Sequence, residues 1–164
     1  MSSQRRSYES GHQPKSLVIV DDTAEWDRAV YYASRWSARV GGGVVMLRVI
    51  EIPDQNQQWL GVADVMRAEA IEIAEQALDR ASGRANGVSG ITPERVIREG
   101  ETIAQARAVI EEDADITRLI LAASDGPEGP GPIVTAMVRH LGNFPVPVVM
   151  VASSLTDDDI DALA

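Results

Sequence analysis

The chain has 164 residues, and its 25 acidic and 15 basic side chains give a formal net charge of -10 and a sequence pI of about 4.6. This excess of negative charge repels nucleic acid and anionic lipid, so neither is expected as a partner. The chain has no cysteine and its only lysine is Lys15. These absences exclude disulfides, thiolate metal sites, a Walker-A phosphate loop and Schiff-base chemistry in the core.

The length fits one domain that can bury a core without disulfides or metal ions. No stretch approaches the roughly 20 consecutive apolar residues of a membrane span, and residues 1–16 lack the apolar core of a signal peptide. We therefore expect a cytoplasmic protein. Residues 1–15 are polar and aperiodic and are predicted to be a disordered tail, residues 16–152 to form the domain, and residues 153–164 to be an acidic C-terminal tail.

The first elements of the domain are a strand and a helix. Leu17–Val20 is a continuous β-branched and leucine run, which is typical of a strand buried on both faces. Apolar residues then follow helical spacing over Ala24–Val40, before three consecutive glycines end the pattern. Asp22 and Glu25 have the spacing of a capping box, so Asp22 is predicted to cap this helix.

The alternation of strands and helices continues to residue 152. Further strands are predicted at Val44–Ile50, Glu94–Ile97, Leu119–Ala123 and Pro147–Ala152. Further helices are predicted at Trp59–Ala85, Gly100–Ala114 and Ile133–Leu141, with a turn over Gly83–Gly90 and a short helix after a cap at Thr156. Because each parallel crossover needs a helix, the pattern predicts a single α/β, Rossmann-like domain with a doubly wound parallel sheet.

A candidate ligand-binding loop follows the fourth predicted strand. The stretch from Leu119 to Thr135 reads LILAASDGPEGPGPIVT, which predicts a strand, a loop rich in glycine and proline, and a helix. In open α/β sheets, such loops bind phosphate-bearing ligands because glycine lets the backbone approach and unpaired helix N–H groups favour anions. One wall of a small-molecule site is therefore predicted here.

Two enzyme classes that begin with a similar strand do not fit. A response-regulator receiver needs an aspartate after its third strand and a core lysine, whereas Asp54 lies too early and the core has no lysine. An ATP-pyrophosphatase loop needs glycines where residues 21–24 read DDTA. His12 and His140 have no serine or aspartate partner at a readable spacing, and His140 is expected at a helix end on the surface. No catalytic residue is predicted.

Six segments follow one another along the chain in a recognisable order: VIVDDT, RVI, IREGETIAQARAVIEEDAD, LILAAS, the glycine loop and VPVVMV. Together, over Leu17–Val151, they resemble the universal stress protein family. The resemblance implies a five-stranded parallel sheet in the order 3-2-1-4-5 with helices on both faces. It also implies dimerisation through the last strand and, for a subset of members, ATP binding in the cleft between strands 1 and 4.

The resemblance also implies a set of ligand contacts. The candidate cofactor-binding residues are Asp21, Thr23, Val49, Ser124, Gly126, Gly129 and Thr135. Asp21 and the backbone of Val49 correspond to contacts with adenine and ribose, and the loop residues to contacts with phosphates. Ala123 and Val134 replace two glycines of the family's phosphate loop, and the prolines at 127, 130 and 132 supply no N–H donor.

We therefore expect a non-enzymatic regulator that senses an adenine nucleotide, such as ATP, ADP or AMP, and forms a homodimer through Pro147–Val151. An apolar strand at a sheet edge exposes unpaired backbone and invites pairing, which supports the dimer. Acidic residues around the loop would repel phosphates, so Mg²⁺ is expected to accompany a bound nucleotide. Two alternatives remain: an interaction scaffold of the same fold that binds no nucleotide, and a slow nucleotide hydrolase.

Overall fold

The computed structural model describes residues 4–52 and 61–164. The strands are β1 (Lys15–Ile19), β2 (Gly43–Ile50), β3 (Glu94–Glu99), β4 (Ile116–Ala123) and β5 (Val148–Ala152). The helices are α1 (Trp26–Val40), α2 (Val62–Ser89), α3 (Thr102–Glu112), α4 (Pro132–Val138) and α5 (Asp157–Leu163), with a 3-10 turn at Leu141–Asn143. Across the described part of the chain, no helix has the length and apolar character needed to cross a membrane.

The five strands form one parallel sheet in the order β3-β2-β1-β4-β5. This confirms the α/β doubly wound fold predicted from the alternation of elements, and the strand order implied by the resemblance. The start at Trp59 predicted for the second helix, and Asp54, lie outside the described residues.

The two faces of the sheet carry separate cores because successive side chains of a strand point to opposite faces. On one face, Val18 packs with α1, α2 and the buried Ile160 of α5. On the other face, Leu17 and Ile19 pack with α3 and with Met137 of α4. The central strand β1 is buried on both faces, as its apolar run predicts.

The sheet order reverses between β1 and β4. The chain leaves β1 for α1 on one face, and it leaves β4 for α4 on the other. In register, Leu17 lies beside Leu119 and Val18 beside Ile120, so the turns after the two strands emerge next to each other. Such a reversal opens a crevice at the carboxyl ends of the strands, where open α/β sheets bind ligands.

The N-terminal segment differs from the predicted disordered tail. The Arg5 guanidinium donates to the carbonyl oxygen of Ile110 at 2.7 Å, and His12 Nδ1 lies 2.7 Å from the Asp115 carboxylate. Residues 4–14 therefore cover the end of α3 and the start of β4, and β1 already begins at Lys15. These contacts join polar side chains to backbone and side-chain oxygens that are distant in the sequence. Such contacts need no periodic spacing of apolar residues, so the sequence shows no pattern that predicts them.

The predicted acidic C-terminal tail contains helix α5. The Thr156 hydroxyl accepts a hydrogen bond from the Asp159 N–H at 3.1 Å, and the Asp159 carboxylate accepts one from the Thr156 N–H at 2.9 Å. This capping box confirms the cap predicted at Thr156. Ile160 is 0% exposed and joins the core beside α1, so the segment is part of the domain.

Helix α2 is longer than its sequence predicts. It continues to Ser89, through the turn predicted over Gly83–Gly90, and ends where Gly90 adopts a φ of 74°. A helical glycine costs about 1 kcal/mol relative to alanine. Here the small residues Ala77, Ala81 and Ala85 are buried in the core that α2 shares with α1 and the sheet, and this burial outweighs the cost of the glycines.

Candidate functional site

Two neighbouring cavities lie at the carboxyl ends of the central strands. The first, which we call the strand cavity, has a volume of about 510 Å³ and is lined by the turn after β1, the end of β2, one face of α2 and the start of α4. The second, the loop cavity, has a volume of about 570 Å³ and lies over the glycine–proline loop and α4. Thr23 and Pro132 line both cavities, so the two adjoin.

The structure brings most of the predicted site residues to these cavities. Asp21, Thr23 and Val49 line the strand cavity, although they come from two different strand ends. The loop cavity is lined by Thr23, Ser124, Gly129 and Thr135 among others. Gly126 is not among the described residues that line either one; its N–H instead donates to Ser124 Oγ at 3.2 Å.

The turn after β1 is held by its own side chains. The Asp21 carboxylate accepts hydrogen bonds from the Thr23 N–H at 3.0 Å and from the Thr23 hydroxyl at 2.6 Å. This local turn fixes the Asp21 carboxylate at the mouth of the strand cavity. The second carboxylate oxygen of Asp21 has acceptor capacity for a ligand hydroxyl or amino group.

Arg48 holds the same turn from the neighbouring strand. Only 8% of Arg48 is exposed, and its guanidinium donates to the Val20 carbonyl at 3.3 Å and to the Asp22 carboxylate at 2.7 Å. The prediction that Asp22 caps α1 is therefore wrong. The helix begins at Trp26 with Glu25 at the cap position, because the buried arginine draws the Asp22 carboxylate toward β2. Sequence reasoning missed Arg48, and its only signal was a charge inside the apolar run VVMLRVI.

The loop after β4 uses many of its own hydrogen-bond donors. The backbone N–H groups that donate to nearby oxygens, at 3.0 to 3.2 Å, belong to Ser124, Asp125, Gly126 and Gly129. The three prolines of the loop have no N–H to offer. Because a phosphate is bound by donors, the loop has few of the contacts that its glycines suggest.

The hydroxyl groups near the loop are also engaged. The Thr135 hydroxyl donates to the Gly131 carbonyl at 2.7 Å, within the first turn of α4. The Thr23 hydroxyl donates to Asp21, as described above. A hydroxyl has a single proton to donate, so in this arrangement neither threonine has one available for a phosphate oxygen.

Glu25 is a member of the loop cavity that the sequence did not predict. It lies half-buried beside Thr23 and Ser124 and faces the same cavity as Thr135 and Arg139. Its own backbone N–H is the main cause that lowers the pKa of the Glu25 carboxyl, and the Ser124 hydroxyl contributes in the same direction. In the sequence Glu25 looks like part of a capping box, which concealed this role.

The walls of the two cavities differ in character. The strand cavity combines apolar side chains such as Val49, Ile73 and Ile133 with charged residues, and its volume is in the range of small-molecule sites. The charged lining residues are Asp21, Asp22, Arg48 and Glu51. The loop cavity carries Glu25 and Glu128 against the single cation Arg139 among its described lining residues. The arrangement therefore favours a flat, partly apolar group in the strand cavity and disfavours strong anions in the loop cavity.

The described residues contain no group of side chains suited to a metal ion, and the two histidines lie outside the residues that line the two cavities. No set of three or more His, Cys, Asp or Glu side chains in this part of the chain could hold a metal ion. His12 pairs with Asp115 at the amino end of the sheet, opposite the cavities. His140 precedes the 3-10 turn after α4.

No protein-family model matches the chain, and no curated protein matches it. Solved structures do match. The universal stress protein UspA from Lactobacillus plantarum is 17% identical, with a TM-score of 0.70 over 84% of this chain and 97% of that one. A universal stress protein in complex with cAMP is 15% identical, with a TM-score of 0.63 over 86% and 98% of the two chains.

A further solved structure is the universal stress protein from Archaeoglobus fulgidus in complex with dAMP. It is 13% identical, with a TM-score of 0.56 over 92% of this chain and 99% of that one. At these identities the similarity is one of fold, and the sheet order found here agrees with it. The chain has the fold of the universal stress proteins.

Proposed function

We propose that the chain is a cytoplasmic regulatory protein that binds an adenine nucleotide at the cleft between β1 and β4 and acts as a homodimer without catalysing a reaction. The observation that carries the proposal is the strand cavity. It lies over the ends of β1 and β2, next to the reversal of strand order, and combines Asp21 and Val49 with apolar walls. This is the place and the composition expected of a nucleoside pocket in an open α/β sheet.

The lining residues suit the parts of an adenine nucleoside. Val49, Ile73 and Ile133 offer apolar surface to a purine ring, and the backbone at the end of β2 offers polar groups to its edge. The Asp21 carboxylate can accept hydrogen bonds from ribose hydroxyls, a role that acidic residues near a strand end often have in nucleotide-binding folds. The solved structures of the same fold with cAMP and dAMP support the choice of adenine.

Binding is tested by titration calorimetry with AMP, cAMP and ATP. We expect heat with AMP, and an affinity about tenfold weaker in Asp21→Ala because a charge-assisted hydrogen bond is lost. Asp158→Ala, an exposed change in the first turn of α5, is the matched control and should bind as the wild type does. If none of the nucleotides binds, the interaction scaffold replaces this proposal. Phosphate release that disappears in Asp21→Ala would instead favour the slow hydrolase.

The dimer is proposed from the edge of the sheet. In the described sheet β5 pairs only with β4, which leaves its other side unpaired. Met150 of β5 is 40% exposed, and Val138 and Leu141 nearby in the chain are also exposed large apolar residues. An exposed apolar edge strand favours pairing with a second copy, whereas a lysine there opposes it.

Light scattering coupled to size exclusion tests the dimer. We expect a dimer for the wild type and a monomer for Met150→Lys, with a dimer retained in Val65→Lys, which adds the same charge to an exposed apolar position of α2. A monomeric wild type at micromolar concentration would rule out the dimer. It would leave the ligand proposal standing, since the strand cavity is lined by this chain's own residues.

A further inference from the structure

The loop cavity has the position of a phosphate site but not its chemistry. It adjoins the strand cavity at Thr23 and Pro132, so a ligand whose base occupies the strand cavity directs its 5′ substituent toward the loop. The N–H groups of Ser124, Gly126 and Gly129 already donate to nearby oxygens. Those three N–H groups are therefore not free to bind a phosphate.

The loop cavity already contains the carboxylate of this chain's own Glu25. Glu25 lines the loop cavity together with Thr23, Ser124 and Thr135, the three hydroxyl-bearing residues predicted to contact the ligand. Its carboxyl pKa is lowered mainly by its own backbone N–H, with a smaller contribution from the Ser124 hydroxyl, so the group is ionised near neutral pH. A bound phosphate in the loop cavity would therefore lie close to a second negative charge.

We propose that Glu25 is a specificity-determining residue that makes the site select an adenine nucleoside with at most one phosphate and reject di- and triphosphates. The inference rests on the adenine-binding function proposed above and names its ligand class. Like charges in one partly buried cleft repel, and each added phosphate brings further negative charge toward Glu25. The base and ribose contacts of the strand cavity do not involve Glu25, so they are unaffected by this repulsion.

The other charges of the loop cavity do not cancel Glu25. Arg139 is the cation among the described lining residues, but it is exposed, and the exposed Glu128 lines the same cavity. Exposed charges are screened by water and salt and contribute little. Asp125 lies outside the described lining of this cavity, with its carboxylate near the Ser153 hydroxyl at 3.3 Å. The half-buried Glu25 therefore has the largest effect on an incoming phosphate.

The test is a series of affinities for adenosine, AMP, ADP and ATP, measured by calorimetry in EDTA with the full chain. For the wild type we expect the affinity to fall about two- to fivefold with each added phosphate, the scale of partly screened charge pairs. In Glu25→Gln the fall should largely disappear, so ATP binds more tightly than to the wild type while adenosine binds equally well. Glu75→Gln, an exposed position of α2, removes the same net charge and should keep the wild-type series.

The outcomes separate the inference from the function beneath it. If adenosine and AMP bind but affinity rises with phosphate number, or if Glu25→Gln leaves the series unchanged, Glu25 does not set specificity and the adenine site stands. If no compound of the series binds, the adenine-binding function fails and this inference fails with it. Thermal unfolding of both variants shows whether they fold like the wild type. If Glu25→Gln is folded, its affinities for adenosine, AMP, ADP and ATP decide whether Glu25 sets the specificity.

Discussion

The two ends of the sheet differ in how far they are covered by other parts of the chain. At the amino end, residues 4–14 lie across β4 and α3, and Arg5, His12 and Lys15 each reach an oxygen of the domain within 3.0 Å. At the carboxyl end, two cavities remain open, and Asp21 and Glu25 line them. One end is closed by satisfied polar contacts, and the other keeps polar groups facing open space.

The difference separates stability from function within one small domain. Contacts at the amino end join distant parts of the chain and should contribute to the free energy of unfolding. Groups at the carboxyl end are held in place for a ligand and should contribute mainly to binding, as expected where open α/β sheets place their sites. Substitutions at the two ends should therefore have distinguishable effects.

The largest effect on stability is expected from Arg5→Ala. The change removes hydrogen bonds to the carbonyl oxygens of Ile110 and Asp113 at the end of α3, at 2.7 and 3.0 Å. Because these bonds are charge-assisted and partly buried, the free energy of unfolding should fall by about 1–3 kcal/mol, measured by urea denaturation. Arg6→Ala, which breaks an exposed pair with Glu9, should change it by less than about 1 kcal/mol. Equal losses in the two variants would show that the N-terminal segment does not close the amino end.

Arg48→Met should affect binding more than folding. Arg48 fixes the turn that carries Asp21, and its partner Asp22 has an 87% exposed side chain that can remain in water when the arginine is lost. We expect AMP affinity to fall about tenfold, since the turn loses one charge-assisted contact, with an unfolding free energy within about 1 kcal/mol of the wild type. Arg80→Met, on the exposed face of α2, is the control. A variant that unfolds easily yet binds AMP normally would reverse the assignment of the two ends.

The smallest effect is expected from Lys15→Met, and it depends on pH. Burial by itself would lower the pKa of Lys15, but contacts with Glu94 and Asp113 at 2.9 and 3.0 Å raise it above 10.5 overall. A raised pKa in the folded state means that the stabilisation is complete below the unfolded pKa and is lost as the pH rises through the folded value. Urea titrations should show a small deficit for the variant at neutral pH and none at strongly alkaline pH. A deficit that persists there would assign the effect to packing of the lysine stem.

Most strands and helices of the fold could be predicted because their buried apolar residues follow a regular spacing along the sequence. Leu17–Val20 and the inward residues Ile103, Ala106 and Ile110 of α3 all lie in the buried core, as their spacing indicated. The end of α2 could not be predicted, because Gly83 and Gly87 look like turn residues until the burial of Ala81 and Ala85 beside them is known. Local propensity was outweighed there by tertiary contact.

The candidate site was predicted only where backbone position decides it. The family resemblance placed Asp21 and Val49 at the ends of the first two strands, and both line one cavity. The pairing of Asp22 with Arg48 could not be foreseen, because it depends on a side chain in β2 reaching the turn after β1. The same limit explains the N-terminal segment, whose contacts are between residues about a hundred positions apart.

The most direct test of the account follows backbone amide shifts by NMR during a titration with AMP. We expect the amides of Thr23, Val49 and Ser124 to shift in a saturable way, while those of Glu9 and Asp115 at the amino end stay in place. Saturable shifts confined to the amino end, or none at either end, would contradict the claim that the carboxyl end of this sheet is an adenine-binding site.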